Sequence, residues 1–429
     1  MKVLVVGAGA REHALCWKLR QSPLLEDLYC APGNPGIAGL ADLVPVAPEE
    51  IHRLADFAAD LRLDLTVVGP ELPLTLGIAD EFARRELPIF APSQRAAEIE
   101  GSKVFAKQFM ERHAIPTAPF VVVHDVAGAR AAARRFGFPA VLKADGLASG
   151  KGVMVAGDKE ELEAAVAALF EERRFGASSD RAVVEQFLEG EEVSFMALAD
   201  GERLLPLAIS KDYKRIGDGD TGPNTGGMGS HSPVGLPSGE AAAEIVETVM
   251  RTTVSGLAAE GRPFCGVLYA GMMLTAGGPK VLEFNARFGD PEAQVLLLRL
   301  EDDLLPVLAA AAAGDFDVHR RLRFRKEAAA CVVLASQGYP GRPVTGEVIQ
   351  GLDRAAELGA EVFHAGTQRG TRGELLTAGG RVLSVCALGP DLLGALKRAY
   401  AAAAEIHWPG RVFRHDIGRR VLDLAREAG

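Results

Sequence analysis

The sequence predicts a multidomain chain, α/β at its start and mixed α+β beyond, and three observations carry that reading. Residues 2–6 form a short β-branched run closed by Gly7-Ala8-Gly9, and an alanine- and leucine-rich helical pattern follows over about 11–21. The strand-then-glycine pattern returns at Thr66-Val67-Val68-Gly69-Pro70-Glu71, followed by a helical stretch to about Glu86 and another strand at Pro88-Ile89-Phe90. Finally, 429 residues exceed one ordinary core; at ~100 to 200 residues per domain, three or four domains are expected.

Strand, tight turn and helix in succession predict a Rossmann-like, doubly wound parallel sheet over residues 1–100, with a ligand crevice at the strand carboxyl ends. A helix over 101–112 carries Lys103 and Lys107. Strands at 121–123, 140–143, 152–155 and 182–184 then surround an alanine-rich helix at 159–172, so 101–189 reads as a helix and a small α+β lid. Residues 190–325 mix strands (193–199, 204–209, 266–274, 280–284) with helices (240–260, 291–313) into a larger platform. A charge-rich stretch, 320–327, leads into a small C-terminal α+β domain, 326–429, with one alanine-rich helix near 391–405. The alanine tract at 309–313 reads as helix rather than low complexity.

Composition excludes several classes. Hydrophobic residues at 48 % and charged residues at 24 % are the balance of a globular protein, not a disordered or fibrous one. A formal net charge of -10 repels both a phosphate backbone and an anionic bilayer, so neither nucleic acid nor membrane is an expected partner. Any phosphate ligand must find its positive charge in a local cluster or a metal. The five cysteines stand singly with no CxxC pair, which suits buried thiols in a reducing compartment and predicts a cytoplasmic location. The opening apolar run is too short for a signal sequence, and no stretch approaches the ~18 apolar residues of a membrane span.

Gly7-Ala8-Gly9-Ala10-Arg11-Glu12 sits where a dinucleotide fingerprint would sit, but its last position is Glu12 rather than a small residue. The acid expected ~20 residues on is also missing, because that region reads Tyr29-Cys30-Ala31-Pro32-Gly33. Nicotinamide or flavin chemistry is therefore not expected, although the turn's N–H groups remain able to cradle a phosphate. Asn34-Pro35-Gly36 falls where the second strand should end; it is either an anion-wrapping loop or a plain turn.

Four later stretches carry more chemistry. Lys143 ends a strand and opens a loop with three glycines and Lys151, able to fold over a triphosphate or to form a simple glycine hairpin. At Glu185-Gln186-Phe187-Leu188 a strand runs into an acidic turn, where a backbone edge suits adenine and Glu192 suits ribose hydroxyls; solvated acids are the competing reading. In Glu283-Phe284-Asn285 the two-residue side-chain period sets two oxygen donors on one face, ready for Mg²⁺ or Mn²⁺, and Arg287 would join that face if the strand continued. Residues 212–229 form a long basic, then glycine-rich loop, which suits closure over an anion.

Together these pieces resemble the ATP-grasp superfamily, in which two α+β lobes clamp ATP above a Glu-x-Asn metal strand. Within it, GxGxREHAL (7–15), GNPG (33–36), KADGLASGKGV (143–153), TGPNTGGMG (221–229) and EFNARFGDPE (283–292) are similar to the glycinamide ribonucleotide synthetases, in order, from residue 1 to about 300. The resemblance implies ATP-grasp central lobes and an ATP-dependent carbon–nitrogen ligase of purine synthesis. Its substrates would be glycine and 5-phosphoribosylamine, joined through an acyl phosphate, with ATP and Mg²⁺ or Mn²⁺ as cofactors and a monomer or weak homodimer as the working state.

By the same resemblance, Lys103 and Lys143 contact ATP phosphates, Glu185, Phe187 and Leu188 take adenine, and Glu192 takes ribose. Glu283 and Asn285 hold metal, and Arg287, Lys143 and Asp212 are the catalytic candidates. Arg287 grips the glycine carboxylate, Gly9, Asn34, Pro35, Gly36 and Glu71 line the phosphoribosylamine site, and Asp212, Lys214 and Arg215 close over it. One departure stands out: where the superfamily often has a further carboxylate a dozen residues before the Glu-x-Asn strand, this chain reads Tyr269-Ala270-Gly271-Met272-Met273. The competing enzyme reading is another ATP-grasp purine ligase or a carboxylase acting on aminoimidazole ribonucleotide.

Overall fold

The computed structural model describes residues 1–147, 152–235, 239–317 and 320–427; positions 148–151, which include Lys151 of the glycine loop, lie outside them. The first hundred residues build β1 (Lys2–Gly7), α1 (Ala10–Leu19), β2 (Asp27–Pro32), β3 (Asp42–Leu43), α2 (Ile51–Leu61), β4 (Leu65–Val68), α3 (Glu71–Thr75), α4 (Ile78–Arg84), β5 (Ile89–Phe90) and α5 (Gln94–Gly101). Its sheet is parallel in the order β3-β2-β1-β4-β5. Val3, Leu4, Val5 and Val6 are wholly buried, because helices and neighbouring domains cover both faces of β1 and no polar side is needed.

α6 (Lys103–Arg112) crosses to the lid, made of β6 (Phe120–Val123), α7 (Val126–Phe136), β7 (Ala140–Ala144), β8 (Val153–Ala156), α8 (Lys159–Val166) and β9 (Ala182–Gln186). The lid sheet runs β6-β9-β7-β8 and keeps its own apolar core, including Leu142, Leu162, Leu169 and Val184. The expected 159–172 helix loosens after Val166 into a π turn, Ala167–Glu171.

The platform follows with β10 (Glu191–Gly201), β11 (Leu204–Pro206), β12 (Lys211–Asp212), β13 (Arg215–Gly217), β14 (Thr221–Asn224), β15 (Gly229–Ser232), α9 (Gly239–Ile245), α10 (Thr252–Ala259), β16 (Phe264–Thr275), β17 (Gly278–Asn285), α11 (Glu292–Arg299) and α12 (Leu304–Ala312). Its main sheet is β11-β10-β16-β17. The single helix expected over 291–313 is two helices: Leu300 is extended, and the Asp303 carboxylate caps the second helix by accepting from Leu305 N–H. An aspartate cap followed by Pro306 is a restart signal inside an otherwise unbroken apolar run.

The chain ends with β18 (Ala328–Ala335), α13 (Leu352–Glu357), β19 (Glu361–His364), β20 (Thr367–Arg369), β21 (Leu375–Thr377), β22 (Arg381–Gly389), α14 (Leu392–Glu405) and α15 (Arg419–Glu427). The principal C-terminal sheet runs β12-β15-β18-β22-β19, so it takes β12 and β15 from the middle of the chain. This shared sheet is what brings the C-terminal part to the site.

Candidate active site

The clamp encloses a cavity of about 690 Å³ between the lid, the platform and the first hundred residues. Lys103, Lys143, Glu185, Phe187, Leu188, Glu192, Asp212, Lys214, Arg215, Glu283, Asn285 and Arg287 all line it, joined by Arg11 and Glu71 from the N-terminal domain. Most of the residues singled out in the sequence therefore converge on one space.

At the lid end the cations are organised by one carboxylate. Glu185, near the end of β9, forms ion pairs with Lys143 of β7 and Lys107 of α6, all three side chains being almost fully buried. Burial alone would raise the Glu185 carboxyl, but Lys143 and Lys107 hold it below its ordinary range. Burial also pulls Lys107 down to about 8, against the pull of Glu185. Lys143 Nζ donates to Leu282 O at 2.9 Å and Lys107 Nζ to Thr117 Oγ1 at 2.7 Å, while Thr117 Oγ1 donates to Val281 O at 2.8 Å. These bonds tie the lid and α6 to the strand that carries the metal candidates. Lys103 Nζ donates to Gly146 O at 3.2 Å, where the glycine loop begins.

On β17, Glu283 pairs with Gly271 and Asn285 with Tyr269 of β16, which leaves glycine and not a carboxylate opposite Glu283. Burial would raise Glu283, yet Lys214, Lys103 and Lys143 hold it down at about 2, so it is an anion throughout the physiological range. Lys214 Nζ lies 3.3 Å from Glu283 Oε1 and also pairs with Glu192, so one lysine joins the metal candidate to the ribose candidate. An ionised carboxylate and an amide oxygen on one strand face fit a hard divalent cation that completes its shell with phosphate and water. Among the described residues no group of three His, Cys, Asp or Glu side chains is gathered for a metal.

β17 stops at Asn285, so Arg287 leaves the strand face on which it was expected and turns toward the N-terminal domain. Its Nε reaches Glu71 Oε2 at 3.2 Å, its Nη2 reaches Glu100 Oε1 at 3.0 Å and Asn285 Oδ1 at 3.4 Å. Glu71 and Arg287, both read as substrate residues, thus meet each other. Glu100 had no distinguishing sequence signal; burial raises its carboxyl even though Arg287 pulls the other way.

Asp212 is buried beside Glu292, and among the described residues its Oδ1 has no hydrogen-bond partner. Burial, then the nearby Glu292 carboxylate, push Asp212 well above the usual aspartate range. Glu292 Oε1 accepts from Tyr269 OH at 2.6 Å and from Ser194 Oγ at 3.1 Å. Arg215 sits on the β13–β14 hairpin and donates to Gly222 O at 2.7 Å.

Gly9, Asn34, Pro35 and Gly36 stand apart from the cavity lining. Gly9 N–H donates to Glu12 Oε2 at 2.5 Å, so the chain's own glutamate accepts at that amide of the glycine turn. The same Glu12 explains the glycine that follows β4, since a Cβ at Gly69 would lie 2.0 Å from Glu12 Oε1. The Asn34 amide is likewise fully engaged, donating to Ala8 O and His364 O at 2.9 and 2.8 Å and accepting from Gly36 N–H and Ile37 N–H at 2.9 and 3.1 Å. Its side chain fixes the shape of the 34–37 loop.

Family models for the phosphoribosylglycinamide synthetase N domain, ATP-grasp (A) domain and C domain match residues 1–100, 101–293 and 329–420. The chain belongs to the phosphoribosylglycinamide synthetase family. It is 49% identical over 427 residues to a phosphoribosylamine–glycine ligase of Mesorhizobium japonicum, covering 100% of this chain and 99% of the relative. It is 48% identical over 426 residues to the ligase of that name from Escherichia coli K12, covering 99% of each. The crystal structure of a phosphoribosylamine–glycine ligase from Thermotoga maritima superposes with a TM-score of 0.84 at 33% identity, covering 97% of this chain and 100% of that one. Membership of the phosphoribosylglycinamide synthetase family bears out the motif resemblance and disfavours the carboxylase alternative.

Sequence reasoning missed Lys107, Glu100, Glu292, Tyr269 and Arg381 as members of the site. Lys107 had a signal, because it follows Lys103 by one helical turn. Arg381 had none, as it lies nearly a hundred residues beyond the last matched motif.

Proposed function

We propose that the chain joins glycine to 5-phosphoribosylamine with ATP, giving glycinamide ribonucleotide, ADP and phosphate in purine synthesis. The observation that carries this is the shared cavity, in which Lys143, Lys103 and the Glu283–Asn285 pair face Arg11 and Glu71 of the N-terminal domain. A carboxylate is a poor acyl donor. A glycine carboxylate oxygen attacks the γ-phosphorus of ATP and ADP leaves. The amine nitrogen of phosphoribosylamine then attacks the carbonyl carbon of the glycyl phosphate, phosphate departs and the nitrogen loses a proton.

Lys143 and Lys103 neutralise the transferring phosphoryl group, and the backbone from 185 to 188 receives adenine. Glu192 exchanges Lys214 for the ribose hydroxyls. Glu283 and Asn285 hold Mg²⁺ or Mn²⁺, which supplies charge neutralisation at the phosphates. Arg287 grips the glycine carboxylate, Glu71 with Gly9, Asn34, Pro35 and Gly36 lines the phosphoribosylamine side, and Asp212, Lys214 and Arg215 close over it. The working parts are 1–100, 101–189, 190–325 and 326–429, the last two sharing a sheet. A cytoplasmic monomer or weak homodimer is the state we assign; the five unpaired thiols suit the reducing compartment.

The test is ADP release with glycine and freshly made phosphoribosylamine, each omitted in turn. Sustained release is expected only with both, and release indifferent to glycine overturns the reading. Glu283→Ala is expected to lower kcat by about 100-fold or more with Mg²⁺ while the circular dichroism stays unchanged; full turnover would remove the metal assignment.

A further inference from the structure

Arg381 opens β22 in the C-terminal part of the chain, yet its guanidinium lies in the wall of the cavity. Nη1 donates to Gly226 O at 2.5 Å and to Asp290 O at 2.6 Å, and Nη2 meets Asp290 Oδ2 at 3.0 Å. Tyr339, from the same part, accepts the Gly226 N–H at 2.9 Å through its hydroxyl. Both backbone polar groups of Gly226 are therefore held by C-terminal side chains.

What those two residues fix is the stretch of cavity wall formed by Thr225, Gly226 and Asp290. Gly227 has φ +113°, open to glycine and strained for other residues, and a Cβ there would fall 2.7 Å from Asp212 Oδ1 and 3.2 Å from Asp290 O. Asp290 in turn accepts from Gln294 Nε2 at 2.7 Å and stands before Glu292, the carboxylate that crowds Asp212. Loop 225–228, the Asp290–Pro291 turn and the buried acids thus meet at one guanidinium. The donor geometry suits arginine alone: one planar fork reaches two carbonyls and a carboxylate at once, which a lysine ammonium on a flexible stem does not reproduce.

We propose that Arg381, assisted by Tyr339, is a positioning residue for the reaction, by which the C-terminal part sets the geometry of Asp212 and Glu292 in the cavity wall they share with Arg287, the residue assigned to the glycine carboxylate. This rests on the proposed ligase activity, and the two are separable. If the wild-type enzyme shows no glycine-dependent ADP release, that activity fails; the Arg381 inference is judged only against an active wild type.

The experiment compares full-length wild type with Arg381→Ala and Tyr339→Phe in steady-state assays that vary ATP and glycine separately. For Arg381→Ala, kcat/KM for glycine is expected to fall about 100-fold, the scale of a small misplacement of reacting groups, with KM for ATP within about threefold. Added guanidinium ion is expected to restore part of that loss, and Tyr339→Phe to show the same split on a smaller scale. Activity within twofold of wild type overturns the proposal, as do equal rises in KM for ATP and glycine. A loss that follows a lowered melting temperature and ignores guanidinium also overturns it. Should Arg381→Ala fail to fold, Tyr339→Phe decides: an unchanged glycine dependence overturns the inference.

Discussion

Glu185 shows how a single residue can organise a charged site. Its two oxygens are shared between Lys107 and Lys143, so two buried ammonium groups depend on one carboxylate. Removing one partner of a buried pair leaves uncompensated charge, and that costs far more than an exposed salt bridge returns. Glu185→Gln is expected to lose about 3–5 kcal/mol in chemical denaturation, together with a raised KM for ATP. An unchanged denaturation midpoint would mean that water, not Glu185, solvates the lysines. Glu283 behaves differently because it is partly exposed and its carboxyl is held at about 2. A depressed carboxyl contributes stability that is whole above its ordinary 4.5 and is lost only as pH falls toward about 2. Glu283 therefore stays ionised across neutral pH.

At the scale of elements, α6 is placed by its first turn. Ser102 caps the helix by accepting Phe105 N–H at 3.0 Å, and Asp145 accepts from Ser102 Oγ at 2.9 Å and Val104 N–H at 3.0 Å. Asp145 also pairs with Arg181, so one aspartate joins the lysine-bearing helix to the mouth of the glycine loop. Asp145→Ala is expected to cost about 1–2 kcal/mol and to raise KM for ATP while KM for glycine holds, since Lys103 rides on that turn. Equal changes in both constants would detach the capping network from the nucleotide end. The strand β17 teaches a related lesson. Its two-residue period sets Glu283 and Asn285 together as the sequence implied, but the strand ends there, and Arg287 is aimed by Glu71 and Glu100 instead.

Across the whole molecule, the N-terminal domain and the C-terminal sheet are locked by neutral histidines. His364 N–H donates to His13 Nδ1 at 2.8 Å, which requires an unprotonated ring nitrogen. Burial, then His364, lower His13 to about 3, and burial, then Arg369, lower His364 to about 4, both from 6.5. Below 6.5 the unfolded chain binds protons that the folded one refuses. The stability from these two groups is therefore full above that pH and drains away as pH falls through about 4 and then 3. Thermal melting is expected at lower temperature as pH drops from about 7 to about 4, with a flatter slope in His13→Asn, whose amide oxygen can still accept. Identical slopes would place the acid sensitivity elsewhere.

The strand–turn–helix succession of the first hundred residues, their parallel sheet, the strand that carries Glu283 and Asn285 and the ATP-grasp kinship were readable in the sequence, because each depends on local period, turn chemistry or contiguous motif. Tertiary structure alone decided that Asn34 holds a loop, that Glu12 fills the glycine turn, that Arg287 answers to two glutamates, and that Arg381 reaches the cavity. Those outcomes depend on which distant groups meet across domains and on a sheet that joins strands from both sides of residue 325. A side chain's hydrogen-bond partner, unlike its propensity, is a property of the packed chain and has no local signature.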